Sequence, residues 1–169
     1  MTKTYKQLNP ICWETILEHM DTNFRIKLNK YPKLAEVNKR VPLHIKRLEL
    51  FSRGFIVDGT NYSVFDVVYG KVCFAINYKT VEQTEQKEEM EKYNAFLIGK
   101  LLAGKVNVWQ CVLYAGPEES LPKSGPVFKI QKLIVRGYKH SPEYLVPFEA
   151  LVSQDCLPLS KILVNEWPR

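Results

Sequence analysis

The hydrophobic period of this 169-residue chain changes near residue 43, and this change limits the folds open to it. Before that point apolar residues recur at helical spacing, as in Trp13, Leu17 and Met20. After it, apolar residues come in short runs and alternations typical of strands. The pattern predicts a small helical module over 8–42 and a separate domain over 43–169.

Three short helices are predicted in the N-terminal module. Asn9 and Pro10 are typical of a helix start, because asparagine caps the first turn and proline has no N–H to leave unpaired. Asp21 can cap a second helix, and a third begins at Pro32 and ends before Pro42. Helices this short bury little area each, so they must pack on one another, on the rest of the chain or on a partner.

The following domain is predicted to contain a mixed, partly parallel sheet with covering helices, within the α+β or α/β class. Asp58-Gly59 predicts a tight hairpin turn, and residues 72–78 predict a further strand. The acidic run 82–91 predicts the first turns of a helix that Gly104 caps at its C-terminal end. Residues 106–114 are apolar at nearly every position, which predicts a central strand covered on both faces.

The remainder of the domain is predicted to hold two more strands, over 127–135 and 161–167. Between them, residues 141–143 predict the opening of a helix, although Pro147 would shift or kink it. The chain stops just after the last strand, without a helix to cover it. That ending fits either a short domain or one that is incomplete at its C-terminus.

Four segments share one apolar spacing, which matches the strand of a leucine-rich repeat. They are Ile45, Leu48 and Leu50; Val108, Cys111 and Leu113; Ile130, Leu133 and Val135; and Leu159, Ile162 and Val164. In such repeats these side chains point into a stacked core. No repeat asparagine follows and the intervals are irregular, so a leucine-rich-repeat-like sheet and an ordinary mixed sheet both fit.

The composition argues against a membrane or secreted protein. The apolar runs are far shorter than the roughly 20 residues that span a bilayer, and the first residues contain no apolar signal-peptide core. A cytoplasmic or nuclear location is therefore expected. The four cysteines stand singly among apolar neighbours, which predicts buried free thiols rather than zinc ligands or disulfides.

No motif in the sequence indicates catalysis. His19, His44 and His140 lie far apart and have no neighbours at metal-ligand spacing, and no glycine-rich phosphate loop or nucleophile elbow is present. We therefore expect a protein without enzymatic activity, cofactor or metal. An active site assembled from distant residues stays open, because catalytic groups need only be close in space.

Positive charge is concentrated at the N-terminus. The first 50 residues carry ten Lys and Arg against five Asp and Glu, whereas the remainder carries fourteen against thirteen. Such a segment attracts nucleic acid, anionic lipid or an acidic protein surface. The candidate anion contacts, which alternate with the aromatic residues Phe24 and Tyr31, are Arg25, Lys27, Lys30, Lys33, Lys39 and Arg40. Nucleic-acid binding is therefore an alternative function.

The run LNPICWETILEHMDTNFRIKLNKYPKLAEVNKRVPLHIKRLEL resembles the F-box-like segment that opens many members of protein families expanded in Caenorhabditis nematodes. VPLHIKRLEL with the following hairpin, and later FKIQKLIVRGY, are similar to the F-box-associated domain of those families. The resemblance covers most of the chain.

This resemblance implies an adaptor that works through protein–protein interaction. F-box helices dock on a Skp-type adaptor of a cullin ubiquitin ligase, and the domain behind them recruits a substrate protein. The residues at the matching docking positions are Leu8, Pro10, Ile16, Leu17, Met20 and Leu28. Asn9 splits the usual Leu-Pro pair, and residues 31–34 lack the basic-Trp pattern that often closes the motif. A free-standing interaction domain that has lost ligase docking is therefore equally open.

Overall fold

The computed structural model describes residues 10–67, 71–84, 90–114, 121–122, 126–136, 146–156 and 162–165. The helices are α1 (Pro10–Glu18), α2 (Thr22–Leu28), α3 (Pro32–Arg40), α4 (Met90–Leu101) and the single turn α5 (Val146–Glu149). The strands are β1 (Leu43–Phe51), β2 (Gly54–Val57), β3 (Thr60–Val67), β4 (Lys71–Ile76), β5 (Lys79–Thr84), β6 (Gly104–Tyr114), β7 (Pro126–Arg136) and β8 (Ile162–Asn165). A 3-10 turn spans Gln154–Cys156.

The strands form one eight-stranded sheet in the order β5-β4-β3-β2-β1-β6-β7-β8. From β1 through β5 each strand runs antiparallel to the next, as expected for strands joined by short turns. The other three pairs, β1 with β6, β6 with β7 and β7 with β8, are parallel. The predicted mixed, partly parallel sheet is therefore confirmed.

The apolar residues that share one spacing in the sequence meet in register across the parallel strands. Ile45 pairs with Val108 and Val108 with Ile130, while Leu48, Cys111 and Leu133 form the next row. All but one of the inward-facing side chains of these rows in β1, β6 and β7 are buried; Val135 is partly buried and packs against the same core. The repeated spacing in the sequence thus corresponds to layers of side chains stacked across neighbouring strands.

Helices α1, α2 and α3 form where the sequence predicts them. The Asp21 carboxylate accepts a hydrogen bond from the Phe24 amide at 3.0 Å and caps α2. These helices are tied to the rest of the structure, since Thr22 Oγ1 donates to the carbonyl of His44 at 2.7 Å and Ile26 lies in the main core. The division of the chain at residue 42 remains a prediction.

One buried cluster contains the inward-facing side chains of six strands together with α4 and the segment around Phe148. Helix α4 crosses over the sheet and contacts β3. Its predicted inner face is confirmed, because Tyr93, Leu97 and Leu101 are buried. This cluster holds the two halves of the sheet in one core.

The boundary predicted for α4 was wrong. Residues from Glu82 were assigned to its first turns, but Lys79–Thr84 is the edge strand β5. Asn77 and Tyr78 adopt left-handed conformations and return the chain in a two-residue turn, which pairs Ile76 with Lys79. The strand escaped prediction because its side chains are mostly polar, as edge strands often are. The residues predicted to open a later helix, 141–143, lie outside the described part of the chain.

Gly104 was predicted to cap α4, but it is the first residue of β6. Its φ is +97°, and a Cβ atom there would lie 2.8 Å from the carbonyl oxygen of Lys39 at the end of α3. Gly59, in the hairpin turn between β2 and β3, has a φ of +84° with open space around it. Both positions favour glycine by backbone conformation, but only Gly104 also requires it for close packing.

We expect Gly104→Ala to destabilise the protein by about 2–4 kcal/mol, because it combines left-handed strain with overlap against α3. Gly59→Ala is the matched control and should lose about 1–2 kcal/mol from strain alone. Urea unfolding followed by circular dichroism measures both. Equal losses would mean that the contact between Gly104 and Lys39 contributes nothing.

Candidate functional site

The residues predicted to dock a partner are divided between the surface and the interior. Ile16 is 41% exposed, whereas Leu17 is only 1% exposed and lies inside the structure. Met20 and Leu28 are half-buried. Pro10 begins α1, and Leu8 lies outside the described residues. Leu17 therefore holds its helix in place and is not on the surface that a partner would contact.

The predicted anion contacts are also divided. Arg25 is 2% exposed, so its guanidinium is not offered to an external anion. Lys39 is exposed, and its ammonium pairs with Glu36 at 3.0 Å. The remaining members of the set are exposed: Lys27, Lys30, Lys33 and Arg40. The assignment of Arg25 as an anion contact does not fit this structure.

Arg25 has a structural role instead. Its Nε donates to Asn38 Oδ1 at 2.9 Å, and its two terminal nitrogens donate to the carbonyls of Pro42 at 2.9 Å and Val41 at 2.7 Å. The Asn38 amide donates in turn to Asn29 Oδ1 at 2.7 Å. Burial lowers the pKa of Arg25, an effect that nearby Glu18 opposes. The guanidinium thus fixes the junction between α3 and β1 by binding two backbone carbonyls there.

The face of β1, β6 and β7 opposite the core is partly uncovered. The sequence predicted that β6 is covered on both faces, and this was wrong: Trp109 is 63% exposed and Lys105 is exposed. We call the uncovered part the open face, and define it by the outward residues of the N-terminal halves of the three strands. They are His44, Lys46, Asn107, Trp109, Lys129 and Gln131.

The spacing of the inward positions places Trp109 on the open face. The pairing skips Lys46, Trp109 and Gln131, which stand at the same level in three neighbouring strands. Two residues, Trp109 and Gln110, separate the buried positions Val108 and Cys111, and the pairing with the neighbouring strands keeps the same register on both sides. This two-residue interval produces the apolar spacing of the sequence and leaves Trp109 facing solvent.

The C-terminal halves of these strands are closed. Val112 is 0% exposed and Ile134 is 7% exposed. Glu49, which pairs with Val112 across β1 and β6, accepts hydrogen bonds from Arg47 Nε at 2.9 Å and from the Tyr114 hydroxyl at 3.0 Å. The guanidinium of Arg136 lies 5.9 Å from the Tyr114 ring centroid. On this face of β1, β6 and β7, the C-terminal halves are therefore less exposed than the part around Trp109.

The open face forms the floor of a concave surface of about 790 Å³. Thr22 and Asp58 lie at one side of it, and Asp155 and Cys156 of the 3-10 turn also line it. Two lysines, polar amides and one large aromatic side chain offer hydrogen bonds, charge and apolar area together. This combination suits binding of a macromolecular ligand.

The metal-ligating and nucleophilic side chains of the described residues are scattered. No group of three or more His, Cys, Asp or Glu in the described ranges could hold a metal ion. Burial raises the pKa of the Cys111 thiol, which disfavours the reactive thiolate. Cys73 is likewise buried, but Cys12 is exposed and Cys156 half-buried, so the prediction of buried thiols was wrong for these two.

Sequence reasoning missed Trp109 as a surface residue. It stands in a run of apolar residues and was counted with them. The signal was present in the shared spacing, because Val108 and Cys111 match the buried positions of the other strands and Trp109 does not. Among the helices that the structure describes, none is long and apolar enough to cross a membrane.

Comparisons with protein-family models, with curated proteins and with solved structures returned no match.

We expect Arg25→Ala to cost about 2–4 kcal/mol of unfolding free energy, because it removes a buried charged donor from several acceptors at once. Lys27→Ala, on an exposed position of the same helix, is the control and should change stability by less than about 0.5 kcal/mol. Chemical denaturation checks both values. A small loss for Arg25→Ala would contradict the structural role of this side chain.

Proposed function

We propose that this protein is a non-enzymatic adaptor that binds a protein ligand on the open face and docks on a second protein through its N-terminal helices. The observation that carries the proposal is Trp109, which is 63% exposed in the middle of a parallel part of the sheet. A ubiquitin-ligase adaptor of this kind would work in the cytoplasm or the nucleus.

The physical basis is the incomplete covering of the sheet. Parallel strands usually have both faces buried, because helices cover them on either side. Here the core face is covered, but the opposite face exposes Trp109 beside Lys46 and Lys129. An exposed tryptophan among polar neighbours is typical of the residues that contribute most to binding in protein interfaces. A ligand seated on the open face would complete the covering of the sheet.

The stacked apolar rows support a repeat-like origin of this surface. In leucine-rich-repeat proteins, parallel strands of successive repeats lie side by side, and their outward residues form a binding surface. The matching spacing of β1, β6 and β7 and their common register fit such an arrangement. We propose that these strands are leucine-rich-repeat-like and that Trp109 occupies a ligand-facing position.

The N-terminal helices supply the second surface. Ile16 is exposed on α1, while Leu17 on the same helix anchors it to the interior. Such a helix can present one apolar position to a groove without losing its own packing. Together with the F-box-like sequence, this supports docking on a Skp-type adaptor of a cullin ubiquitin ligase. The positive charge of this segment suits an acidic partner surface.

A second candidate function is binding of single-stranded nucleic acid on the open face. It is favoured by the position of Trp109 between Lys46 and Lys129, since aromatic and cationic side chains together stack bases and hold phosphates. The N-terminal cations support it less, because Arg25 is buried and Lys39 is paired with Glu36.

The open face is tested with Trp109→Ser. We expect the variant to fold normally, since the side chain is mostly exposed. Its affinity for protein ligands should fall by about 30-fold or more. Tyr78→Asn is the control, because Tyr78 is 84% exposed in the turn between β4 and β5. Quantitative mass spectrometry of proteins retained by each tagged chain gives the measurement. Identical sets of retained proteins would contradict the proposal. Salt-sensitive oligonucleotide binding that Trp109→Ser abolishes would support the second candidate instead.

Docking is tested with purified Skp-type adaptor and Ile16→Asp. A charge on this exposed position should abolish a measurable interaction, because it would be buried without a partner in the complex. Tyr78→Asp introduces the same charge at another exposed site and should bind normally. If the intact chain shows no binding by calorimetry, ligase docking is refuted and a free-standing interaction domain remains.

A further inference from the structure

A second concave site lies on the other side of the sheet, away from the open face. It occupies a gap of about 470 Å³ between α2, α4 and strands β3 to β5. This size falls within the roughly 300–1,000 Å³ of small-molecule sites. The side chains of its interior are apolar or aromatic: Ile26, Tyr62, Phe74, Ile76, Leu97 and Leu101.

The floor of the cavity is rigid and uncharged. Phe55, Tyr62 and Phe74 stack in a row, with ring centroids 4.8 Å and 6.3 Å apart. The Tyr62 hydroxyl donates to Asn23 Oδ1 at 2.8 Å. Burial raises the pKa of Tyr62, so the phenol stays neutral. These rings are fixed by the core and cannot collapse readily into the gap.

The mouth of the cavity is cationic. Among the described residues, four exposed lysines line it, one from β5, one from α2, one just after α2 and one from α4, together with the acid Glu82. They are Lys27, Lys30, Lys79 and Lys100. Within the described ranges none of them forms an ion pair. The ammonium of Lys30 lies 4.9 Å from the ring centroid of Tyr31, and the ammonium of Lys100 lies 5.6 Å from the ring centroid of Phe96.

An apolar interior with a cationic mouth selects the chemistry of its ligand. Apolar atoms that leave water for the interior favour binding in proportion to the surface they bury. A negative group at the end of the ligand that lies in the mouth would be attracted by the lysines, whereas a positive group there would be repelled. The first nine residues of this chain contain two lysines and no acid, so their charge does not suit this mouth.

We propose that this cavity binds an aliphatic carboxylate, with the hydrocarbon chain against Tyr62, Phe74 and Leu97 and the carboxylate among the lysines. The site is distinct from the open face and does not depend on the proposed adaptor function. A bound ligand would bridge α2 and α4, and would thus join the N-terminal helices to the antiparallel half of the sheet.

Isothermal titration calorimetry with decanoate tests the site, and decan-1-ol serves as the uncharged ligand of equal chain length. We expect one decanoate per chain and binding of decan-1-ol that is weaker by roughly tenfold, as two partly exposed ion pairs would give. Lys30→Gln combined with Lys100→Gln should lower the affinity for decanoate by a similar factor. Lys33→Gln combined with Lys105→Gln removes the same charge elsewhere and should leave the affinity unchanged.

A cavity-filling variant locates the ligand independently of charge. Val81 lines the cavity but is 59% exposed, so Val81→Trp should fill the gap without disturbing the core. We expect this variant to lose decanoate binding while it unfolds at an unchanged urea concentration. Unchanged decanoate affinity in Val81→Trp, or equal affinity for decan-1-ol and decanoate, would overturn the proposal. Absence of decanoate binding to the intact chain would overturn it as well.

Discussion

The stacking of apolar side chains across β1, β6 and β7 determines the position of every other part of the structure. Ile45, Val108 and Ile130 form one row of this stack, and the rows above it continue the same alignment. Because two residues separate the inward positions at the same level of each strand, the inward positions on both sides of that level stay buried in register. The residues at that level, with Trp109 in the centre, must face solvent. The open face is thus a geometric consequence of how the core packs.

The helical module at the N-terminus is joined to this core by polar contacts as well as apolar ones. The buried Arg25 holds the end of α3 against the start of β1, and Asn29 reaches the carbonyl of Leu101 at 2.7 Å. The charge of the module therefore has two uses. One cation stabilises the chain connection, while exposed lysines such as Lys30 remain available to ligands. A simple count of charges in the sequence does not separate these roles.

Much of the fold could be predicted from local signals. Asp21, Pro32 and the Asp58-Gly59 turn each specify their element through backbone chemistry within a few residues, and the structure has the helix or hairpin at these places. Predictions failed where tertiary structure decides. β5 lacks an apolar alternation because it lies at the sheet edge, and Gly104 serves contact with a helix that ends 64 residues earlier. The exposure of Trp109 depends on the register of three strands, which no single segment encodes.

Site-specific photo-crosslinking determines whether the open face binds a protein. Benzoylphenylalanine is introduced in place of Trp109 in the full chain, and in place of Tyr78 in a matched control, before irradiation in cells. We expect position 109 to give a discrete covalent adduct that resists nuclease and disappears with protease, and position 78 to give none. An adduct destroyed by nuclease, or equal labelling from both positions, would contradict protein binding at the open face.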